Sequence, residues 1–532
     1  MSGFAKIKLV WLILAIALLL NPRDAASEGR RDWPMYGKNL SHSFSNSSSK
    51  ITEHNVSSLA PLWTFVTGDA VTASPAVVGG SLYVGSWDGF FYAIDTETGA
   101  LKWKFQLDCQ PSVVPVPEVC GGPPPGVPTP SRFRTPGGIV ASSAAVVGDR
   151  VYFGGGRTLY SLSRRDGRLI WKHVICGNPE DPSCKTDQTD PLQILSSPAV
   201  WGEKIFVGTT TGGVSFDIPY RGGFLALDAN TGEQLWRFEV DPPFVAGNRG
   251  CGNVWSSPAV DRHRHLVVFG TSDCKEQPLP PYHGSVVALD SDSGTLRWVF
   301  RPREVDVHSC DFDFGASPNV ISAGDRAGIG IGGKDGTYYL LDSDSGEVVW
   351  ARRVVFGGES GGFFGGAAVH GRRIYSATAF GDGNVQQQAG LCDPLFADPN
   401  DPDIVDTFIQ EPSMHFLDAQ TGMVVRQQRD SQSFGATTLG NGLVYSGFIG
   451  QSQDDLPAVK IYRATNLKLE SVILTAVNGR PGMVNSAVIP VGRAIFLGSG
   501  NYFDGTGSAI HAYALPGREE AGPGDDGHAD GE

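Results

Sequence analysis

The sequence predicts an all-β protein: an eight-bladed β-propeller with tryptophan-containing repeats, closed into a ring by an N-terminal strand. Three observations predict this fold. A strand-turn-strand phrase ending in tryptophan recurs along the chain, a second phrase recurs upstream of it, and the last copy of the first phrase is incomplete. Repeats of this size in an all-β pattern are typical of propeller blades.

The first phrase is Ala-x-Asp-x-x-Thr-Gly-x-x-x-Trp, which is complete at residues 93–103. An apolar strand ends at the aspartate, glycine supplies the positive φ of the turn, and the tryptophan lies in the next strand. Related copies occupy residues 161–171, 226–236, 288–298, 340–350 and 416–426, the last with arginine in place of tryptophan. A worn copy is predicted at 460–470, with Tyr462, Thr465 and Asn466 in the diagnostic places, and an eighth begins at His511.

The second phrase, Ser-Pro-Ala-Val or a close variant, begins near residues 74, 197, 257 and 317, and an apolar strand ending near glycine follows it. Each repeat therefore supplies about four short strands. The eighth repeat lacks its last strand, and residues 59–63, which end in a tryptophan, can provide it. This pairing removes the open edge that a linear array would leave. We expect the repeated tryptophans to pack between blades.

The composition fits this fold and limits the partners. The chain has 532 residues, 69 of them glycine, and only 18% are charged, as expected for many short buried strands and turns. A ring of blades can exceed the usual size of a single core because it grows by adding blades. The net charge of -14 argues against nucleic acid or an anionic membrane as partner.

Both ends of the chain read as segments outside the ring. Residues 1–27 resemble a secretory signal peptide, with two lysines, an apolar run over residues 9–20 and small residues at 25–27. The run is too short to span a bilayer, so we expect a mature chain without a membrane span, periplasmic or secreted. The propeller is predicted over residues 28–516, followed by a disordered acidic tail over residues 517–532.

Eight cysteines are compatible with an oxidising compartment. Two pairs, at 109/120 and 176/184, lie close in sequence within proline-rich segments, and loop-stapling disulfides are the expected reading. No Cys-x-x-Cys-His motif occurs, so no c-type haem is predicted on this chain.

The densest group of residues that the repeats leave unexplained lies between the fourth and fifth blades, where Asp311 and Asp313 are two residues apart. On an extended segment they point the same way, and in an apolar setting they require a cation or hydrogen bonds. An alternative is that loop amides satisfy one carboxylate while water solvates the other.

The tryptophan repeats resemble the docking motifs of the quinoprotein alcohol dehydrogenase superfamily. Within it, Trp33-Pro-Met-Tyr-Gly37, Gly85-Ser-Trp-Asp-Gly89 and Asp311-Phe-Asp-Phe-Gly-Ala-Ser-Pro318 most resemble polyvinyl-alcohol-dehydrogenase-like proteins, over residues 33–516. The resemblance implies pyrroloquinoline quinone (PQQ) beside Ca²⁺ in the central funnel, and an aspartate that takes the proton of an alcohol. Non-enzymatic propeller scaffolds share the docking motif, so a scaffold that has lost the cofactor is the alternative function.

The resemblance also implies roles for particular residues. Asp313 matches the catalytic base best, with Asp311 second. Lys334 matches the basic residue near the quinone oxygens. Trp255 matches the aromatic residue beneath the quinone ring, although ordinary packing between blades would also explain Trp255. Asp273 matches a calcium ligand, which its carboxylate chemistry allows.

The sequence departs from the family at two places. The expected glutamate ligand is missing from the insertion of the third blade, where Asp217 is the stand-in, and the adjacent cysteines that roof the quinone in many members are absent. The expected substrate is a small-molecule or polymeric alcohol, secondary alcohols included. Because no haem site is present, the expected electron acceptor is a separate cytochrome c or another carrier.

Overall fold

The computed structural model describes residues 32–107, 139–176, 192–210, 222–240, 253–272, 281–302, 312–323, 326–355, 357–358, 361–379, 413–450, 455–501 and 504–517. Within these ranges the chain forms eight four-stranded antiparallel sheets, the blades of the predicted propeller. A single 3-10 turn, Val56–Ser58, precedes the first strand. None of the described segments is a helix of the length and hydrophobicity that crossing a membrane needs.

The first strand, β1 (Ala60–Val66), belongs to the last blade, and the next sixteen strands form blades 1 to 4 in chain order. Blade 1 contains β2 Ala76–Val78, β3 Ser81–Gly85, β4 Phe90–Asp95 and β5 Leu101–Gln106. Blade 2 contains β6 Ala145–Val147, β7 Arg150–Gly155, β8 Thr158–Ser163 and β9 Leu169–Val174. Blade 3 contains β10 Ala199–Trp201, β11 Lys204–Thr209, β12 Gly223–Asp228 and β13 Gln234–Phe238. Blade 4 contains β14 Ala259–Asp261, β15 Leu266–Gly270, β16 Val286–Asp290 and β17 Leu296–Phe300.

Blades 5 to 8 repeat the arrangement, and a small hairpin lies before blade 8. Blade 5 contains β18 Asn319–Ala323, β19 Arg326–Gly332, β20 Thr337–Asp342 and β21 Val348–Arg353. Blade 6 contains β22 Ala368–His370, β23 Arg373–Ala377, β24 Met414–Asp418 and β25 Val424–Gln428. Blade 7 contains β26 Thr438–Gly440, β27 Leu443–Phe448, β28 Ala458–Arg463 and β29 Leu469–Leu474, and the hairpin contains β30 Ala476–Val477 and β31 Arg480–Pro481. Blade 8 contains β32 Ile489–Val491, β33 Ala494–Ser499 and β34 Ala509–Ala514.

The predicted closure by the N-terminal strand is confirmed. Strand β1 pairs antiparallel with β34 and completes blade 8, with Trp63 opposite Ala512. Trp63 thus takes the place that the repeated tryptophans hold in the other blades. Ala512, and not His511, is the residue that corresponds to the first alanine of the phrase, so the predicted start of the eighth copy was one residue early.

The repeated tryptophans join neighbouring blades. Each indole ring covers the turn glycine of the next blade, so closely that a Cβ there would come within 2.5–2.7 Å of the ring. The pairs are Trp63 with Gly99, Trp103 with Gly167, Trp171 with Gly232, Trp236 with Gly294, Trp298 with Gly346 and Trp350 with Gly422. Five of these indole N–H groups also donate to a backbone carbonyl of that turn, as Trp63 does to Thr96 at 2.9 Å. The predicted packing between blades is therefore confirmed.

The predicted register of the seventh copy was wrong by one residue. Ile461 pairs with Ser471, as Ala226 pairs with Trp236 in blade 3, so Leu467 and not Asn466 holds the glycine position. Leu467 has φ +56° and is 1% exposed. Asparagine tolerates positive φ better than leucine does, which made Asn466 the better match by sequence. The buried leucine side chain occupies this turn, and the preceding blade has arginine in place of tryptophan.

Residues 33–50, here called the N-terminal plug, cross one end of the ring and contact the inner edges of the blades. Backbone hydrogen bonds connect the plug to blades 1, 2, 4, 5, 6, 7 and 8, through Val77, Val146, Val260, Val320, Val369, Leu439 and Gly492. Six of these seven residues lie within the innermost strands, and Gly492 directly follows one. The plug therefore closes this end of the ring.

Candidate active site

The opposite end of the ring carries the long insertions. Because each blade is antiparallel, the start of its inner strand and the connection between its second and third strands lie at the same end. The strands that flank residues 108–138, 177–191, 211–221, 241–252, 273–280, 303–311 and 380–412 all meet these segments there. The insertions themselves lie outside the described residues.

Eight residues, one from each blade, lie four positions before the innermost strands and form what we call the floor ring. Their neighbours in sequence are buried, whereas seven of the eight are partly exposed. Partial exposure at one position of an otherwise buried segment, repeated from blade to blade, indicates side chains that face an open centre. The members of the floor ring are Thr72, Ala141, Leu195, Trp255, Gly315, Phe364, Phe434 and Asn485.

A belt of serines supports the floor ring from below. The backbone N–H of Ser74 donates to the Oγ of Ser143 at 2.8 Å, and the same contact runs on from blade to blade at 2.9–3.0 Å. Ala487 donates in turn to Ser74 at 2.9 Å. The belt serines are Ser74, Ser143, Ser197, Ser257 and Ser317. The recurrent Ser-Pro-Ala phrase thus ties adjacent blades together beneath the centre.

Three aromatic rings of the plug complete the bottom of the channel: Tyr36, His42 and Phe44 pack on each other at centroid distances of 5.0–5.9 Å. Burial raises the pKa of Tyr36, although its hydrogen bonds to Ser317 and the backbone of Gly366 oppose this. Burial lowers the pKa of His42 to about 4, while its Nδ1 lies 3.0 Å from the carbonyl oxygen of Pro318. Neutral rings, with His42 and Phe44 fully buried and Tyr36 partly buried, therefore close the channel at the plug end.

Three of the predicted site residues meet on the floor ring. The Nζ of Lys334 lies 3.6 Å from Oδ1 of Asp313, and both side chains are 4% exposed. The indole N–H of Trp255 donates to Oδ2 of Asp313 at 3.4 Å, a long hydrogen bond. These three side chains are therefore neighbours in the structure.

The turn that carries Lys334 is built to hold it in place. The backbone N–H of Lys334 donates to the carbonyl oxygen of Asp313 at 2.9 Å. The N–H of Gly358 donates to the carbonyl oxygen of Lys334 at 3.0 Å. The next residue, Asp335, accepts from the N–H of Thr337 and the hydroxyl of Tyr339. The backbone thus fixes the lysine stem beside the aspartate.

Blade 1 contains the same turn with different chemistry. Asp88 accepts from the N–H of Phe90 and the hydroxyl of Tyr92, as Asp335 does from its neighbours in blade 5. Trp87 stands where Lys334 stands in blade 5, and its indole donates to Thr72 at 2.8 Å. Blade 5 therefore has a cation where blade 1 has an indole, on a turn that these two blades share.

Two residues of the site, Phe364 and Phe434, were not identified from the sequence. Lys334 Nζ lies 5.4 Å from the centre of the Phe364 ring, within range of a cation–π contact. Phe364 also lies 6.1 Å from Trp255 and meets Phe434 edge to face at 4.8 Å. Aligning the blades by their inner strands would have revealed both, since they share the position of Trp255.

The other predicted site residues, Asp311, Asp273 and Asp217, lie outside the described residues. Among the residues that are described, no three His, Cys, Asp or Glu side chains gather as a metal site would need. The metal ligands therefore remain predictions.

Comparison with known proteins agrees with the resemblance. Residues 33–354 match the PQQ family described as glucose/ethanol/alcohol dehydrogenase, beta-propeller domain. A polyvinylalcohol dehydrogenase of Sphingopyxis sp. (strain 113P3) is 26% identical over 355 residues, which are 60% of this chain and 50% of that protein. A polyvinylalcohol dehydrogenase of Pseudomonas sp is 26% identical over 378 residues, 64% of this chain and 54% of the other.

A solved structure gives the same fold. A europium-containing methanol dehydrogenase superposes with a TM-score of 0.69 at 15% identity, covering 93% of this chain and all of the other. The chain spans about half the length of the curated relatives it matches. With more than half of its residues matched by the family, this chain belongs to the PQQ family of glucose/ethanol/alcohol dehydrogenase β-propeller domains.

Proposed function

We propose that this protein is an exported quinoprotein dehydrogenase that oxidises alcohols with PQQ and Ca²⁺, and that Asp313 is the general base. The observation that carries the proposal is the buried pair of Asp313 and Lys334, 3.6 Å apart on a partly exposed aromatic floor. A pair of opposite charges is expensive to bury. A non-catalytic scaffold has no need of it at the open centre of its ring.

The chemistry of the site fits a planar, anionic cofactor. Trp255, Phe364 and Phe434 supply flat apolar surface on one side of the floor ring, and Lys334 supplies a positive charge above it. Such a cofactor, when bound, supplies the oxidising power by accepting hydride. Trp255 would lie under its ring system, and Lys334 would favour negative charge on its oxygens.

In this proposal Asp313 takes the proton of an alcohol hydroxyl. Its buried neighbours Phe312 and Phe314 exclude water from the segment that carries it. The ammonium of Lys334 favours the ionised carboxylate, the form that accepts a proton. Asp311 is the second candidate for this role.

For the metal we propose Asp273 as a ligand, with Asp217 in place of the missing glutamate. Carboxylate oxygens suit Ca²⁺, and both residues belong to insertions that begin at the end of the ring where Asp313 lies. The ion would polarise a quinone carbonyl as a Lewis acid.

The names of the relatives suggest alcohols, including polymeric ones, as substrates. We propose a periplasmic or extracellular enzyme, exported by a signal peptide at residues 1–27 and containing disulfides. A separate cytochrome c or another carrier would take the electrons.

The test is reconstitution. We expect purified protein with PQQ and Ca²⁺ to reduce a dye with some member of an alcohol panel, and a chelator to abolish the reaction. Asp313→Asn keeps the shape but removes the basic oxygen, so turnover should fall roughly 10²-fold or more while quinone binding persists. Asp273→Ala should weaken binding of metal and quinone instead.

Two results would count against this assignment. If wild-type protein binds no quinone in the presence of Ca²⁺, the result favours a non-catalytic scaffold. If Asp313→Asn turns over normally, Asp311 becomes the candidate base. The control is Asp88→Asn, which makes the same chemical change in blade 1 at the residue that corresponds to Asp335 and not to Asp313.

A further inference from the structure

The tryptophan of the floor ring differs from the tryptophans that join the blades. We call each contact between a repeated tryptophan and the turn glycine of the next blade a joint. In five of the joints the indole N–H donates to a backbone carbonyl of the next blade. The indole N–H of Trp255 donates to a side-chain carboxylate, Oδ2 of Asp313. Its ring lies at the floor ring, whereas each joining tryptophan lies over the turn glycine of the next blade. Ordinary packing between blades accounts for neither difference.

Gly315 makes this placement possible. It holds the floor-ring position of blade 5, and a Cβ there would overlap the six-membered part of the Trp255 indole. Every other member of the floor ring carries a side chain. The missing side chain therefore opens the space in which the Trp255 ring lies across blade 5, next to Asp313.

The two oxygens of Asp313 meet different partners. Oδ1 faces the ammonium of Lys334 at 3.6 Å, and Oδ2 accepts from Trp255 at 3.4 Å. Contacts at both oxygens restrict rotation of the carboxylate about its Cβ–Cγ bond. A base must present its lone pair to the substrate proton at hydrogen-bonding distance, so this orientation affects the rate.

We propose that Trp255 is a positioning residue for Asp313: its indole N–H fixes the plane of the carboxylate that acts as base, and Gly315 provides the space for its ring. The catalytic part of this inference rests on the proposed function. The hydrogen bond itself can be tested without any cofactor.

The first experiment uses cofactor-free, full-length protein with 15N-labelled tryptophan. The indole N–H resonance of Trp255 is assigned as the one missing from Trp255→Phe. We expect Asp313→Ala to move this resonance toward the position of an indole in water, and Asp313→Asn to move it the same way by less. Asp88→Asn, the same chemical change at a residue of blade 1, is the control and should leave it unchanged. An indole N–H chemical shift of Trp255 that is the same in wild type and in both Asp313 variants would overturn the proposal.

The second experiment separates positioning from stacking in protein loaded with PQQ and Ca²⁺. Trp255→Phe keeps a flat ring but loses the N–H donor. Positioning predicts that kcat falls about tenfold at saturating quinone, as expected for the loss of about one hydrogen bond, while the affinity for quinone changes less. Weaker quinone binding with an unchanged kcat would show that Trp255 only stacks. If no alcohol is oxidised at all, the proposed function fails and the resonance experiment still decides whether the hydrogen bond exists.

Discussion

Several titratable side chains are held neutral inside the ring, where they make stability depend on pH. His415 is fully buried, with its Nε2 2.9 Å from the hydroxyl of Thr378 and its Nδ1 3.0 Å from the amide nitrogen of Gln427. Burial lowers its pKa from 6.5 to about 3. Burial also lowers the pKa of His511 to about 4. A proton on either ring would create a buried charge.

These histidines should make the protein sensitive to acid. Because the folded pKa lies below the unfolded value, the unfolded chain binds more protons as the pH falls below about 6.5. The stabilisation is complete above that pH and is lost progressively toward pH 3. For His415 alone, the free energy of unfolding should fall by about 2 kcal/mol between pH 6.5 and pH 5.

Urea unfolding of wild type and His415→Gln across this pH range measures the effect. The acid loss of stability should be smaller in the variant by about that amount. The control is His54→Gln, because the side chain of His54 is 87% exposed. Equal pH slopes in wild type and His415→Gln would contradict the prediction.

At the scale of the blade, a tryptophan and a glycine act as one joint. The ring of Trp350 lies on Gly422, and its N–H donates to Ala419 at 3.0 Å. At the next joint Arg426 holds the tryptophan position and Leu467 the glycine position. Both halves of the joint are missing together, because a tryptophan has no room over a turn that carries a side chain.

Trp350→Ala should therefore lower the free energy of unfolding by about 3 kcal/mol, because a large, mostly buried ring and a hydrogen bond are lost. The matched control is Arg426→Ala, which removes an exposed side chain from the same position in the next blade and should change the free energy little. Chemical denaturation measures both. Similar losses in the two variants would mean that the joint contributes no special stability.

The joints also show how far sequence could lead. The complete phrases predicted their blades correctly, because turn, strand and tryptophan all agree. In blade 7 the predicted register was wrong by one residue, because Leu467 occupies a positive-φ position where the sequence pattern predicts glycine or asparagine. At the site, Asp313, Lys334 and Trp255 were found through a resemblance. Phe364 and Phe434 were missed because an isolated phenylalanine carries no chemical signal, and only the repeat shows that it faces the centre.

At the scale of the whole molecule, the ends of the folded chain meet in one sheet. Strand β1 pairs with β34 over six residue pairs, and the N-terminal plug bonds to seven of the eight blades. Residues 518–532 lie outside the described residues, and the sequence predicts them to be an acidic tail. The two ends of the chain are thus expected to differ greatly in their contribution to stability.

Deleting residues up to 63 should cost far more stability than deleting the tail after residue 517. The first deletion removes the plug and most of β1, opens the edge of β34 and leaves the turn at Gly99 without Trp63. The midpoint of thermal unfolding of the two truncated proteins gives the comparison. Equal tolerance of both deletions would contradict closure by the N-terminal strand.

The pairing of residue 60 with residue 514 also constrains the order in which the molecule can form. During synthesis β1 leaves the ribosome before its partner β34, which is made after all the other described strands, so β1 stays unpaired until those strands exist. Pairings between such distant residues form slowly, because a very long loop must close first. An export signal at the N-terminus would suit this order, since a chain whose ring has not closed can still be threaded through a narrow channel.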